Sequence, residues 1–103
     1  MHGLLITFSS SAKLEQLERP FADYAEALRG VPGFVCKTWL QDGELIGGFH
    51  VFASREDADA YLASELVAGL TANPAFIDFE IRHYQVLEEL SVRTGTPQLT
   101  ASR

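Results

Sequence analysis

Apolar and polar residues alternate along this chain with two different periods, and the changes of period mark out the elements. Leu4 to Phe8 is a short apolar run closed by Ser9-Ser10-Ser11. It predicts a buried first strand followed by a helix whose first-turn amide bonds to a serine hydroxyl. From Ala12 to Leu28 the period lengthens. Leu14, Leu17, Phe21, Tyr24, Ala25 and Leu28 recur every three or four residues and share one helical stripe. Lys13, Glu15, Glu18, Arg19, Asp23 and Glu26 largely occupy the other side. Pro20 falls inside this pattern and removes a backbone donor, so a kink or a broken first half is expected there. Gly30 ends the helix, and Pro32-Gly33 makes the turn.

Phe34 to Leu40 is strand-like, Asp42-Gly43 marks a hairpin turn, and Leu45 to Ala53 forms a third strand. Gly47-Gly48 inside it predicts a bulge or a close backbone approach. Ser54, with Asp57 three positions later, caps a second helix carrying Ala58, Tyr61, Leu62, Glu65, Leu66 and Leu70. Asn73-Pro74 ends that helix. Phe76 to Leu87 is the longest strand, with Ile77, Phe79 and Ile81 on one face and Asp78, Glu80 and Arg82 on the other. After Glu88 the chain turns rich in Thr, Ser and Gly. Residues 1–90 are thus read as one domain, and 91–103 as a C-terminal arm or frayed tail. The order β-α-β-β-α-β is that of the ferredoxin-like α+β fold: a four-stranded antiparallel sheet with two helices on one face.

Strand parity carries the prediction further, because alternate side chains point to opposite faces. Leu4, Ile6 and Phe8, with Ile77, Phe79 and Ile81, make the natural floor for the helices. The other face is then expected to hold Leu5, Thr7, Ile46, Gly48, His50, Phe52, Asp78, Glu80, Arg82 and Tyr84. Such a mixture of apolar and polar groups suits neither bulk water nor a plain core. Two copies packed sheet on sheet would bury the apolar members and leave the polar ones lining a cavity, which predicts a homodimer.

Composition narrows the classes. The 103 residues, 47% hydrophobic, suffice for one core without disulfides or a structural metal. A net charge of −6, with the basic residues scattered singly, argues against nucleic acid and anionic membrane surfaces. No apolar run approaches the roughly 20 residues of a spanning helix, and the start lacks the basic segment of a signal peptide. The single Cys36 has no partner and no metal-ligand spacing around it. Together these predict a cytoplasmic protein with a reduced thiol.

Pro32-Gly33-Phe34, Lys37-x-Trp39, Gly47-Gly48 followed by Phe49-His50-Val51-Phe52, Ala60-Tyr61-Leu62 and the closing Glu88-Glu89-Leu90-Ser91 resemble the YdhR-type monooxygenase family. The likeness runs from the first strand to Ser91. It implies the dimeric α+β barrel architecture, whose members include cofactor-independent antibiotic-biosynthesis monooxygenases, haem-degrading enzymes, isomerases and stress proteins. The implied activity is a cofactor-free monooxygenase acting on a small phenol- or anthrone-like aromatic in a barrel cavity. A non-redox isomerase or cyclase, or a non-catalytic ligand-binding or stress-response dimer, is the alternative on the same fold.

On that reading His50 is the base, Arg82 and Tyr84 stabilise the substrate anion, and Trp39 is an aromatic wall, with Lys37, Thr7 and Phe52 also lining the substrate site. No cofactor and no metal ligand are expected. Gly30, Gly33 and Gly47-Gly48 form no dinucleotide fingerprint, and the second helix offers no histidine to a haem. The only Asn is Asn73, in a loop, so the Asn–Trp pairing of the anthrone oxygenases is missing. His83 is expected against the helices or at the strand end, His2 in solvent, and Tyr61 in the core.

Overall fold

A computed structural model describes residues 1–96. Strands β1 (His2–Ser9), β2 (Phe34–Asp42), β3 (Leu45–Phe52) and β4 (Ile77–Gln85) form one sheet in the order β2-β3-β1-β4. All three pairings are antiparallel. Helix α1 (Leu14–Arg29) links β1 to β2; α2 (Arg55–Leu62) and α3 (Glu65–Thr71) link β3 to β4. This is the ferredoxin-like α+β arrangement. A last helix, α4 (Glu88–Arg93), runs across the boundary read at residue 90; of the segment read as an arm, 97–103 lies outside the described residues. Among the described residues no helix is long and apolar enough to cross a membrane.

Local chemistry departs from the sequence pattern in four places. Helix α1 runs through Pro20 unbroken, and Lys13 is its cap: the Gln16 side chain accepts from the Lys13 amide at 3.1 Å. No serine of the Ser9-Ser10-Ser11 run caps the helix; Ser10 instead accepts from Ala12 N–H at 3.2 Å. The second helix is two helices, because Ser64 caps anew: its hydroxyl accepts from Val67 N–H and donates to the Tyr61 carbonyl. At Gly47-Gly48 the ladder to β1 continues without a bulge, so close approach is the explanation. A Cβ on Gly47 would stand 2.1 Å from the Ile6 carbonyl oxygen.

Irregularities lie elsewhere: the β2–β3 register shifts between Phe34 and Cys36, and β4 carries a bulge. The register to β1 shifts between Thr7 and Ser9, and Asp78 takes the left-handed φ of 58°. The extra residue turns Ile77, expected on the helix floor with Phe79 and Ile81, to the opposite face beside Ser9. Phe79 stays packed on the core.

Helices α1, α2 and α3 cover one face. Leu4, Ile6, Phe52, Leu28, Ala58, Tyr61 and Val67 form one buried cluster, and Phe8, Leu17, Ile46 and Phe76 a second. The register of β3 corrects the expected parity: Leu4 faces His50, Ile6 faces Gly48 and Phe8 faces Ile46. Directly opposed residues share a face, so Ile46, Gly48, His50 and Phe52 lie beneath the helices. The open face carries Phe49 and Val51 in their place. Apolar weight decides the matter: Ile46 and Phe52 complete the covered core, and His50 goes with them because parity allows no exception.

Candidate active site

Strand β2 pairs with β3 so that Lys37 faces His50 and Trp39 faces Gly48. All four therefore lie on the covered face, under α1. Gly48 is needed there because the Lys37 stem crosses it: a Cβ would meet Lys37 Cε at 2.4 Å. The stem carries Nζ to 3.4 Å from the Trp39 ring centroid and 5.3 Å from that of Tyr24. Such cation–π contacts hold the charged form only modestly, and among the described residues no carboxylate pairs with this amine. Burial pushes its pKa down to about 7.

His50 is 1% exposed, and its Nδ1 lies 3.1 Å from the Leu4 carbonyl oxygen. A carbonyl only accepts, so the neutral ring carries its proton on Nδ1 and a lone pair on Nε2. Nε2 is buried without a hydrogen-bond partner. Burial, then the charge of Lys37, pushes the imidazole pKa down to about 4, against a weaker upward pull from the Leu4 and Gly48 carbonyls. Above the ring, Tyr61 on α2 shares a hydroxyl–hydroxyl hydrogen bond with Tyr24 on α1. Burial raises both phenols above their ordinary range, so both stay neutral.

Phe8, Phe21, Tyr24, Lys37, Trp39 and Leu70 wall a cleft of about 20 Å³, room for little more than a water. A groove of about 350 Å³ between α1 and α3 adjoins it, and Phe21, Tyr24 and Leu70 line both. Those three side chains are the partition. Trp39, 38% exposed, closes the outer end and touches Phe21 at 5.2 Å between ring centroids. The cleft as it stands sets one amine against aromatic faces and is too small for a ring.

The residues expected to act together are divided by the sheet. Lys37, Trp39 and His50 meet on the covered face. Arg82, opposite Leu5, and Tyr84, opposite Gly3, share the open face with Thr7. A strand of backbone separates them from His50, so anion stabilisation of a molecule in the cleft is not available to them. Thr7 lines a shallow depression of about 180 Å³ with Leu5, Leu40 and Leu45. Phe52 is fully buried between Tyr61 and Phe34, at ring separations of 5.2 and 5.8 Å, which makes it core. His2 is buried rather than solvated, its Nε2 2.7 Å from His83 Nδ1. Tyr24 and Phe21 were legible only as members of the α1 stripe; nothing in their spacing marks them as cleft walls. Among the described residues no three of His, Cys, Asp and Glu come together as a metal site.

A family model described as "Putative mono-oxygenase ydhR" matches residues 4–97. No curated protein matches the chain in sequence. Among solved structures it is similar to SnoaB, a cofactor-independent oxygenase from Streptomyces nogalater, at 20% identity and a TM-score of 0.68, over 82% of this chain and 91% of that one. It is also similar to the heme-degrader MhuD from Mycobacterium tuberculosis, at 20% identity and a TM-score of 0.66, over 84% and 96% of the two chains. An antibiotic biosynthesis monooxygenase superposes with a TM-score of 0.68 at 13% identity, covering 84% of this chain and 99% of that one. At these identities the likeness is one of fold.

Proposed function

We propose, from the premise that this chain belongs to the YdhR mono-oxygenase family, that it oxygenates small electron-rich aromatics, phenol- or anthrone-like, without a cofactor. The reaction runs in the cleft between sheet and helices. One observation carries this reading: an amine with no carboxylate partner among the described residues sits against aromatic rings in a narrow, mostly apolar cleft. SnoaB, similar in fold, is a cofactor-independent oxygenase, and the same economy is assigned to this chain.

Lys37, with its pKa near 7, is the base: about half of it is free amine at neutral pH, where general-base efficiency is greatest. His50 moves from base to helper, since an imidazole titrating at about 4 accepts protons weakly. For an anthrone-like methylene the steps balance. Lys37 takes the proton; the carbanion gives one electron to dioxygen; substrate radical and superoxide combine to a peroxide, which loses water. One O₂ turns CH₂ into C=O and H₂O. The neutral Tyr24 hydroxyl, hydrogen-bonded to that of Tyr61, replaces Arg82 and Tyr84 as the group near the developing anion. Entry of a ring requires Phe21, Tyr24 and Leu70 to swing and join cleft and groove.

The open face is the homodimer surface in this proposal. Leu40, Leu45 and Tyr84 are each 44% exposed there, and Leu5 and Phe49 lie among them. Thr7, Arg82 and Tyr84 belong to that surface. A cytoplasmic setting suits the lone thiol of Cys36. The deciding experiment is oxygen uptake with anthrone as substrate: one O₂ per ketone formed, lost in folded Lys37→Met. Undiminished uptake in that variant overturns the site, and turnover without oxygen would make the enzyme a non-redox isomerase or cyclase.

A further inference from the structure

The chain has two lysines, Lys13 and Lys37, and the fold puts them in opposite surroundings. Lys13 is exposed at the head of α1. Lys37 is half-buried on a cleft wall, its Nζ 3.4 Å from an indole ring and unpaired with any described carboxylate. Directly across the ladder stands His50, whose Nε2 is a buried, unpartnered lone pair. Free amine, neighbouring base and apolar walls are what imine formation needs.

We infer that Lys37 is a carbonyl-reactive nucleophile that condenses with small uncharged aldehydes, whose apolar end rests against Trp39 and Phe21. The Nζ lone pair attacks the carbonyl carbon, an N–C bond forms, and the C=O π pair moves to oxygen. One proton from nitrogen is passed through His50 Nε2 to that oxygen, giving a carbinolamine. The nitrogen lone pair then expels the hydroxyl, which leaves as water with a second proton from nitrogen. Amine plus aldehyde gives imine plus water, with no change of oxidation state and no co-reactant. Burial that keeps the amine near neutrality at physiological pH supports the same assignment. Uncharged aldehydes are favoured because a carboxylate would lose its one counter-ion, the Lys37 ammonium, as the neutral imine forms.

The test uses the full wild-type chain under nitrogen at neutral pH, with benzaldehyde and sodium cyanoborohydride to trap the imine as a stable amine, followed by peptide mass mapping. Lys37 is expected to be labelled at least about tenfold faster than Lys13 or the N-terminal amine, and glyoxylate to label it more slowly than benzaldehyde. Equal or faster labelling of Lys13, or an unlabelled Lys37 in folded protein, overturns the inference. His50→Gln is expected to slow labelling of Lys37 and leave Lys13 unchanged; an unchanged Lys37 rate removes His50 from the step. The reaction consumes no oxygen, so it stands or falls separately from the oxygenase reading.

Discussion

The two faces of the sheet handle polar groups in opposite ways. On the covered face His2 and His83 bond to each other, but Lys37 is half-buried with no carboxylate partner among the described residues and His50 keeps one buried nitrogen unbonded. On the open face Thr7, Glu80, Arg82 and Tyr84 stand among exposed leucines. Water and mobile side chains relax charges on such a face at little cost. Burial without a partner, by contrast, moves a proton equilibrium by powers of ten. The proposed chemistry accordingly sits under the helices, and the proposed association on the face where apolar area is uncovered.

The largest effect expected from this contrast is on turnover. Lys37→Met keeps the stem that crosses Gly48 and removes the amine, and should lower aerobic turnover of anthrone by about 10²-fold or more, the usual share of a general base. Arg82→Ala, exposed on the far side of the sheet, should change it by less than about threefold, since solvent and salt screen its charge. Steady-state oxygen uptake on both variants, with circular dichroism to show folding, measures the difference. A larger loss in Arg82→Ala would return the site to the open face.

The neighbouring glycines sharpen the same contrast within one strand. At Gly47 an added Cβ meets backbone, the Ile6 carbonyl at 2.1 Å, which cannot yield. Gly47→Ala should lose about 3 kcal/mol of stability. At Gly48 it meets the far end of the Lys37 side chain at 2.4 Å, which can swing aside, though the Thr38 carbonyl at 3.1 Å adds some crowding. Gly48→Ala should unfold only slightly more easily, yet lower turnover about tenfold by displacing the amine from Trp39. Thermal melts and rates on the pair would show stability and activity failing separately.

What the residue order revealed and what it hid divide along a physical line. Strand order along the chain, the first helix and the hairpin are local patterns and are present in the structure, whereas the single second helix is split at Ser64 and a last helix follows β4. The face on which β3 lays its residues is a register, a non-local quantity: it depends on Leu4 meeting His50 across the ladder. The run Ile46 to Phe52 is apolar at nearly every position, so alternation could not choose. The Asp78 bulge likewise turned Ile77 over with no Gly to announce it. Lys37 and Trp39 share a face because they stand two residues apart on one strand. That this was the face of His50, and not of Arg82, needed the strand pairing.

Titration separates the faces by sign. The folded pKa of His50, about 4, lies below its ordinary 6.5. Between these values the unfolded chain binds a proton that the fold refuses, so stability falls as pH falls through the window. At about 1.4 kcal/mol per pH unit the loss approaches 3 kcal/mol. His2, also lowered by burial and by His83, acts in the same direction. Lys37, about 7 against 10.5, adds a second window in which stability rises with pH. Denaturant midpoints should therefore climb from pH 4 to about 9, above which the raised phenols of Tyr24 and Tyr61 oppose the rise; His50→Gln should flatten the acid limb and Lys37→Met the alkaline one. A wild-type curve flat across the acid window would mean that His50 is solvated and the cleft wet.

The smallest effect on the cleft should come from the open face. Leu5 is central there, flanked by Phe49 on β3 and Arg82 on β4. A charge at Leu5 would sit in the middle of any sheet-on-sheet contact, where it has no water and only the neighbouring guanidinium for company. Leu5→Glu is therefore expected to halve the sedimenting mass at micromolar concentration. The β1 backbone and the covered side chains Leu4 and Ile6 are unaltered, so benzaldehyde labelling of Lys37 should stay within about twofold of wild type. Wild-type protein that already sediments as one chain would remove the dimer. Labelling that collapses together with the dimer would mean that the cleft is held in shape from across the sheet, and that the two faces do not act independently.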